Sequence, residues 1–192
     1  MQYVCVYCGS SPGVRPDYVS AARELGRALV DRGLGLVYGG AHCGTMGVLA
    51  DTVLAGGGQV LGVIPHGLVH LEVAHRGLTE LITVETLHER KARMLELSWA
   101  LVTLPGGYGT HDELFEALSW LQLGIHAKPV GLLNVRGYFD GLLAHLELAV
   151  SEGFLRPEHH ALLQVESEPE ALLDRFRDFV PPARPAWRSG AE

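Results

Sequence analysis

The sequence predicts an α/β protein: a Rossmann-like doubly wound parallel sheet with helices on both faces, in a single domain. Two observations predict this fold. Continuously apolar runs, such as Tyr3–Tyr7 and Gly35–Tyr38, have the composition of strands that are buried on both faces of a parallel sheet. Amphipathic helical patterns separate these runs, and right-handed crossovers through the helices then give a doubly wound sheet.

Strands and helices alternate along the chain. The helix at 17–31 places Ala21, Leu25 and Leu29 on one face and stops at Gly33, and the third strand ends at Pro65. The predicted strands are 3–7, 35–38, 59–64, 81–84, 99–104, 129–133 and 163–165. The predicted helices are 17–31, 45–55, 87–97, 113–123, 138–151 and 169–179.

Two segments fall outside this alternation. The connection 65–79 is long and aperiodic, and such connections often cover a site. Its histidines, His66, His70 and His75, are interpreted as loop residues, with a metal site as a minor alternative. The Pro-rich segment 181–192 is predicted to be a poorly ordered tail, which leaves 1–180 as the folded domain.

Charge and composition narrow the partners and the surroundings. The chain has 15 Lys and Arg against 22 Asp and Glu, a net charge of −7 without a basic stripe, so we expect no nucleic-acid partner. Three cysteines give no disulfide framework, and a reducing cytoplasm is the simplest setting. The N-terminus lacks the pattern of a signal peptide, and no apolar run is long enough to span a bilayer, so we expect no membrane partner.

Cys5 and Cys8 have the C-x-x-C spacing of redox proteins. Redox pairs of this kind lie at a helix start, whereas these two residues lie in the first strand and at its end. Side chains three apart on a strand point to opposite faces, so we expect packing cysteines.

Three glycine-rich turns, at 8–13, 38–47 and 105–110, follow predicted strands. The carboxyl ends of parallel strands meet at one edge of the sheet, and ligands bind beyond that edge. One such turn is weak evidence, because tight strand-to-helix turns need glycine anyway. Three of them on one edge favour a nucleotide-sized ligand.

The third turn, Pro105-Gly106-Gly107-Tyr108-Gly109-Thr110, is the most informative stretch. Its glycines let backbone N–H groups approach an anion closely, and the helix that follows carries partial positive charge at its N-terminus. Glu113 and Glu116 lie one and two turns into that helix. A carboxylate beside a phosphate site repels the anion, so these residues favour chemistry on a phosphorylated substrate.

Two common nucleotide motifs are absent from the sequence. The run 40–47 does not give G-x-G-x-x-G, and no acidic residue follows at the end of the third strand, which disfavours NAD binding. G-x-x-x-x-G-K-[ST] is also absent, which disfavours a P-loop nucleotidase.

Arg90 and Lys91 open the helix before the fifth strand. Periodicity alone does not place them, because an antiparallel return would leave the start of this helix away from the glycine turns. On spacing alone, a solvated basic face is the better interpretation.

Three runs together resemble the Lonely Guy (LOG) family of cytokinin riboside 5′-monophosphate phosphoribohydrolases, which are often mislabelled as lysine decarboxylases. They are 90–94 (R-K-A-R-M), 104–114 (L-P-G-G-Y-G-T-H-D-E-L) and 123–134 with Trp120. The similarity also takes in Gly9, Ser10, Gly39, Gly40 and Met46, and it extends to about residue 165.

The resemblance implies an enzyme that hydrolyses the N-glycosidic bond of N6-substituted adenosine 5′-monophosphates, or of AMP, to free base and ribose 5-phosphate. Arg90 and Glu113 match the family's catalytic pair. Further substrate-binding positions are Gly9, Ser10, Gly39, Gly40, Met46, Glu72, Lys91, Gly107, Tyr108, Gly109, Thr110, His111, Asp112, Glu116 and Ser119. Members of this length are typically homodimers with sites near the interface, and the reaction requires no cofactor and no metal.

The sequence departs from the family pattern at 41–43 with Thr45, at 111–112 and, mildly, at Ser119. The first two departures bear on substrate preference more than on the type of reaction.

The residues suggest a mechanism. Glycosidic cleavage develops positive charge on the ribose, which the Glu113 carboxylate would stabilise while it orients water. The 5′-phosphate would bind N–H groups of the third turn, assisted by the Thr110 hydroxyl. Arg90 would steady phosphate, ribose or the departing base, and Glu116 would support the ribose hydroxyls or Arg90.

Two other classes of protein stay open. One is a non-catalytic nucleotide-binding or sensing module on the same fold. The other is an amino-acid decarboxylase, which would need a lysine as pyridoxal Schiff base, and Lys91 and Lys128 are the only lysines.

Overall fold

A computed structural model describes residues 1–69 and 73–181. Within these ranges, seven parallel strands form one sheet in the order β4-β3-β2-β1-β5-β6-β7. The strands are β1 (Tyr3–Tyr7), β2 (Gly35–Tyr38), β3 (Val60–Pro65), β4 (Glu80–Val84), β5 (Ala100–Thr103), β6 (Val130–Leu133) and β7 (Leu163–Glu166).

Helices connect the strands. They are α1 (Pro16–Asp31), α2 (Gly44–Ala55), α3 (His66–Val69), α4 (Leu87–Leu97), α5 (Tyr108–Gln122), α6 (Asp140–Ser151), α7 (Pro157–His160) and α8 (Pro169–Arg177). A 3-10 turn, Val135–Gly137, precedes α6. The predicted doubly wound α/β fold is confirmed.

Each face of the sheet carries its own core. Apolar side chains of α1, α2 and α8 pack on one face, with Leu25, Leu49 and Leu172 fully buried. Side chains of α4 and α5 pack on the other face, where Met94 and Leu114 are equally buried. Burial on both faces explains why the strands are apolar throughout.

The two strand cysteines lie on opposite sides of the sheet, as their spacing predicts. Cys8 belongs to the core under α1 and α2, and Cys5 belongs to the core under α4 and α5. Burial raises the pKa of the Cys8 thiol to about 12 and that of Cys5 still further. Both cysteines are therefore packing residues, not a redox pair.

The main corrections concern helix starts. Helix α5 begins at Tyr108, inside the glycine turn, and not at residue 113. Helix α6 begins at Asp140, after the 3-10 turn, and not at residue 138. The short helices α3 and α7 lie in segments without a periodic signal. Of the predicted tail, 181–192, all but the first residue lies outside the described residues.

The chain reverses its winding direction between β1 and β5. Strands β2, β3 and β4 extend the sheet to one side of β1, and β6 and β7 extend it to the other side of β5. The loops after β1 and β5 therefore diverge, which opens the crevice where such sheets bind ligands. Within the described ranges, no helix is long and apolar enough to cross a membrane.

Candidate active site

The three glycine turns meet at the carboxyl edge of the sheet, as predicted. The Thr45 hydroxyl, at the start of α2, donates to the carbonyl of Gly9 at 3.0 Å. A side chain at Gly44 would collide with the backbone of Ser10, and one at Gly9 would lie 3.4 Å from the Cα of Gly106. The first turn is thus in contact with both of the others.

A cavity of about 280 Å³ lies between the first and third turns. Its lining includes Gly9, Ser10, Thr45, Gly106 and Gly107, together with Tyr18 and Tyr138. The cavity therefore brings together the predicted binding residues of two turns, at the point where the winding reverses.

The glycines of the third turn serve two different purposes. A Cβ at Gly106 would lie 2.7 Å from the Cβ of Thr110, so internal packing requires glycine there. Gly107 and Gly109 have no atom within 4 Å of an added Cβ, and neither has a positive φ. Nothing in the described protein requires glycine at these two positions, so their open side is available to a ligand.

The start of α5 is suited to an anion. Gly107 is the N-cap residue, and no side chain caps this helix. The first N–H groups of a helix have no partner within the helix and carry its partial positive charge. The turn thus presents backbone donors beside the open faces of Gly107 and Gly109.

Arg90 and Glu113 form an ion pair at this edge. Arg90 Nη1 donates to Glu113 Oε1 at 3.2 Å, and Arg90 Nε donates to the carbonyl of Val63 at 3.0 Å. Gly39 leaves the space for the guanidinium, because a side chain there would collide with Arg90 Nη2. The Met46 side chain also uses this space, because its sulfur would lie 3.1 Å from a Cβ added at Gly39.

The interpretation of Arg90 and Lys91 as a solvated basic face is wrong, because both side chains are largely buried. Strand β4 runs parallel to β3, so α4 begins at the carboxyl edge, where the glycine turns lie. The Thr86 hydroxyl accepts from the N–H of Glu89 and fixes the start of the helix there.

Glu113 is 7% exposed, and its environment favours the protonated carboxyl. Burial raises its pKa from 4.5 to about 7, although the Arg90 guanidinium lowers it. The carboxylates of Asp112 and Glu116 add to the increase. A carboxyl that titrates near neutrality beside an open anion site has the properties of a catalytic acid or base.

Lys91 connects α4 to two carboxylates of α5. Its Nζ lies 2.8 Å from Asp112 Oδ2 and 3.0 Å from Glu116 Oε2. Burial lowers the pKa of the ammonium, but the hydrogen bonds to these carboxylates outweigh burial and raise it. From the sequence we expect Glu116 to support the ribose hydroxyls or Arg90; its ion pair in the described residues is with Lys91, and a contact with ribose stays a prediction.

The remaining predicted substrate-binding residues lie partly at the glycine turns and partly away from them. His111 Nδ1 donates to the carbonyl of Gly107 at 2.8 Å, while the Tyr108 side chain is 98% exposed. Gly40 accepts from the N–H of His75 at 2.8 Å. Ser119 lines a separate cavity between α5 and the α6–α7 region, so the structure does not bring it to the Arg90–Glu113 pair. Glu72 lies outside the described residues.

No sequence motif indicates Tyr138, whose hydroxyl reaches the third turn. Tyr138 Oη donates to the carbonyl of Gly106 at 2.6 Å. This contact depends on the turn after β6, and no spacing in the sequence indicates it.

The two described histidines of the 65–79 connection contact different carboxylates. His66 Nε2 lies 3.5 Å from Glu85, and His75 Nε2 lies 2.9 Å from Asp51. The described residues contain no group of three or more His, Cys, Asp or Glu that could hold a metal ion. His70 lies outside the described residues.

The two lysines lie at opposite edges of the sheet. Lys128 precedes β6 at the amino edge, where Nζ donates to the carbonyls of Leu95 at 2.5 Å and Ser98. It therefore holds the carboxyl end of α4, far from the glycine turns. Lys91, at the site, is engaged by two carboxylates, so neither lysine is placed to form a Schiff base.

Comparison with known proteins identifies the family. A family model described as possible lysine decarboxylase matches residues 46–176. The chain is 51% identical over 178 residues to a probable cytokinin riboside 5′-monophosphate phosphoribohydrolase of Oryza sativa subsp. japonica, LOGL9, covering 93% of this chain and 78% of the relative. It is 46% identical over 178 residues to the Arabidopsis thaliana phosphoribohydrolase LOG1, covering 93% and 84%.

More distant solved structures share the fold. TM1055, a structural genomics target, superposes with a TM-score of 0.72 at 22% identity, covering 93% of this chain and 100% of the target. A molybdenum cofactor binding protein from Rippkaea orientalis gives 0.70 at 22%, covering 92% and 96%. The coverage of the LOG relatives and the family model together show that the chain belongs to the LOG family of cytokinin riboside 5′-monophosphate phosphoribohydrolases.

Proposed function

We propose that the protein is a phosphoribohydrolase that cleaves the N-glycosidic bond of N6-substituted adenosine 5′-monophosphates, or of AMP. The products are the free base, a cytokinin or adenine, and ribose 5-phosphate. The observation that carries this proposal is the buried Arg90–Glu113 pair, 3.2 Å apart, beside a glycine turn whose open side nothing in the described protein fills. The relatives are named as cytokinin riboside 5′-monophosphate phosphoribohydrolases, and this activity supports the proposal.

The 5′-phosphate binds at the start of α5. Gly107 and Gly109 leave room for it, and the N–H groups of the first helical turn donate to it. Gly9 and Ser10 approach from the neighbouring turn across the cavity. Binding the phosphate fixes the ribose against the carboxylate, and positioning of this kind is a large part of catalysis.

Glu113 acts on the anomeric carbon. The leaving base takes the bonding electrons, so positive charge develops on the ribose ring, and an ionised carboxylate close to C1′ stabilises it. The same carboxylate orients the attacking water and accepts its proton. A pKa near 7 lets Glu113 hold that proton after the reaction and release it at neutral pH. The base, which leaves with the bonding electrons, takes up one proton, so that water is divided between ribose and base.

Arg90 holds Glu113 and contributes charge. Its bonds to Glu113 and to the carbonyl of Val63 fix the guanidinium. The guanidinium has five N–H donors, so others can contact phosphate, ribose or the departing base. Lys91 keeps Asp112 and Glu116 paired beside it, which limits the repulsion between these carboxylates and a phosphate.

We also propose that the protein is a homodimer of the cytoplasm. Helix α6 is largely apolar, yet none of its residues is buried. Leu148 on this helix is 54% exposed, and Phe154 beyond its end is 90% exposed. An apolar helix in this position suits a second copy of the chain. The three cysteines are free, which suits a reducing compartment.

A non-catalytic nucleotide sensor on the same fold remains the alternative. The geometry of Glu113 favours catalysis, because burying a carboxylate beside a phosphate site weakens the binding of an anion. A pure binder would gain affinity from a neutral residue at this position.

The test is to measure release of free base by chromatography, without added metal, from four compounds. These are AMP, N6-isopentenyl-AMP and the two corresponding nucleosides. The proposal expects base and ribose 5-phosphate from the monophosphates only, and the ratio of the two rates identifies the preferred base. Binding of the monophosphates without release of base would favour the sensor.

A further inference from the structure

Tyr138, a residue outside the third glycine turn and α5, holds that turn by a hydrogen bond. Tyr138 Oη donates to the carbonyl of Gly106 at 2.6 Å. On the other side of Gly106, an added Cβ would lie 2.7 Å from the Cβ of Thr110 and 3.0 Å from the N atom of Gly9. The Gly106 peptide is therefore confined between its packing neighbours and the Tyr138 hydroxyl.

This hydrogen bond also orients the N–H group of Gly107, a residue with open space on its Cβ side. The carbonyl of Gly106 and the N–H of Gly107 belong to one planar trans peptide, in which they point in opposite directions. Fixing the carbonyl toward Tyr138 therefore fixes the Gly107 N–H away from it. A bonded carbonyl also polarises its peptide and strengthens the N–H as a donor.

Tyr138 is itself held in place by aromatic contacts. Its ring meets Tyr18 of α1 edge to face, with centroids 5.6 Å apart, and Phe139 in the same manner at 4.8 Å. Phe139 is almost fully buried in the core under α5. The hydroxyl is thus anchored to both layers of the protein.

The turn that carries Tyr138 is rigid for a second reason. Asn134 Oδ1 accepts from the N–H of Phe139 at 2.9 Å, and Asn134 Nδ2 donates to Asp140 Oδ1 at 2.7 Å. Arg136 has a φ of 56°, the one positive φ among the described non-glycine residues. Strained backbone of this kind persists where its surroundings determine it, often beside functional sites.

We infer that Tyr138 is a positioning residue for phosphate recognition, which aims the Gly107 N–H at the 5′-phosphate through the Gly106–Gly107 peptide. The inference rests on the proposed function, because it assumes that the phosphate binds at this turn. Tyr138 lines the same cavity, and in this account its hydroxyl is occupied by the Gly106 carbonyl and acts on the phosphate only through the Gly106–Gly107 peptide. Its hydroxyl matters for the phosphate and not for the base.

The test compares Tyr138→Phe with wild type by calorimetric binding of ribose 5-phosphate, AMP and adenosine. Loss of one neutral hydrogen bond that orients a donor is expected to weaken binding of ribose 5-phosphate and AMP about fivefold to tenfold. Binding of adenosine is expected to change less than about twofold, because it has no phosphate. With AMP as substrate, KM should rise by a similar factor while kcat changes little.

Tyr3→Phe is the matched control. Tyr3 Oη also makes a hydrogen bond of 2.6 Å, to Gln59 Oε1, at the amino edge of the sheet. This variant should bind all three compounds as wild type does. Thermal unfolding of both variants shows that the fold is retained.

Equal weakening of AMP and adenosine by Tyr138→Phe would assign the residue a general structural role and overturn the inference. Unchanged binding of ribose 5-phosphate would overturn it as well. Neither result would contradict the proposed function, provided that the wild-type protein hydrolyses AMP. Conversely, a wild type that binds AMP without hydrolysing it would remove the proposed function, and the binding comparison would still decide the role of Tyr138.

Discussion

The two edges of the sheet use the same residue types in different ways. At the amino edge, Lys128 donates to backbone carbonyls at the end of α4. At the carboxyl edge, Lys91 pairs with Asp112 and Glu116, and Arg90 pairs with Glu113. Charge at the amino edge thus completes a helix end, whereas charge at the carboxyl edge surrounds an open anion site. Changes at the first edge should alter stability, and changes at the second should alter activity.

Glu113→Gln should give the largest effect on activity. The amide retains the shape but carries no negative charge, so it neither stabilises the ribose cation nor accepts a proton. We expect kcat for AMP to fall at least about 1000-fold, while AMP still binds. Steady-state kinetics and calorimetry measure the two quantities.

Glu96→Gln is the control for this change. Glu96 pairs with Arg93 on an exposed part of α4, away from the glycine turns. Its kinetics should match wild type. Hydrolysis by Glu113→Gln within a few-fold of wild type would show that another group supplies the charge.

Gly109→Ala separates stability from binding. Gly109 is the second residue of α5, has no atom within 4 Å of an added Cβ and has no positive φ. Alanine should therefore raise the free energy of unfolding by about 0.5–1 kcal/mol. The new methyl group would occupy ligand space and weaken AMP binding about tenfold or more, since displaced donors lose charge-assisted bonds.

Gly141→Ala is the matched control, because Gly141 is the second residue of α6 and equally open. It should give the same gain in stability and unchanged affinity for AMP. If Gly109→Ala bound AMP as well as wild type, the open side of the turn would not be the phosphate site.

The pH dependence should report Glu113. With a pKa of about 7 in the free protein, the required carboxylate is lost as pH falls, so kcat/KM for AMP should fall about fivefold between pH 7 and pH 6. Phosphate monoesters titrate near pH 6 and change the dianion fraction only about twofold between pH 7 and pH 6, so Glu113 accounts for most of the fall in this range. A profile that stays flat down to pH 6 would contradict this assignment.

The same group should lower stability as pH rises. Between its unfolded value near 4.5 and its folded value of about 7, the native protein holds a proton that the unfolded chain has lost. The free energy of unfolding should therefore fall through this window, by up to about 3 kcal/mol. Denaturant titrations of wild type and Glu113→Gln at pH 5 and pH 8 measure the difference.

Lys128→Met should leave kcat within about twofold and reduce only stability. Burial lowers the pKa of this ammonium, and its hydrogen bonds satisfy carbonyls at the end of α4. Their loss should cost about 1–3 kcal/mol of unfolding free energy. A variant of unchanged stability that had lost its activity would place Lys128 in the chemistry and reopen the decarboxylase interpretation.

The pattern of apolar runs and glycines along the chain predicts the sheet, the helices that cover its two faces, and the positions of the glycine turns. The strands are apolar throughout because both faces are covered, and this signal needs no tertiary information. The start of α5 was hidden, because Tyr108, Gly109 and Thr110 show no helical periodicity. Their place in the helix follows from the glycine turn itself, which supplies the first N–H groups to the edge of the sheet.

Pairings between elements were harder to predict. Arg90 meets Glu113 because β4 runs parallel to β3, which brings the start of α4 to the carboxyl edge. Spacing along the chain contains no information about this return. The assignment of Glu116 to Lys91, and the contact of Tyr138 with Gly106, likewise depend on how separate elements pack.

The most direct test of the account is the identity of the products that wild type forms from AMP. We predict adenine and ribose 5-phosphate in equal amounts, and we expect the Glu113→Gln variant to form neither at a measurable rate. Adenosine and inorganic phosphate would instead mean that the glycine turn presents the phosphate itself to attack. That result would contradict cleavage at the N-glycosidic bond and the role given to Glu113.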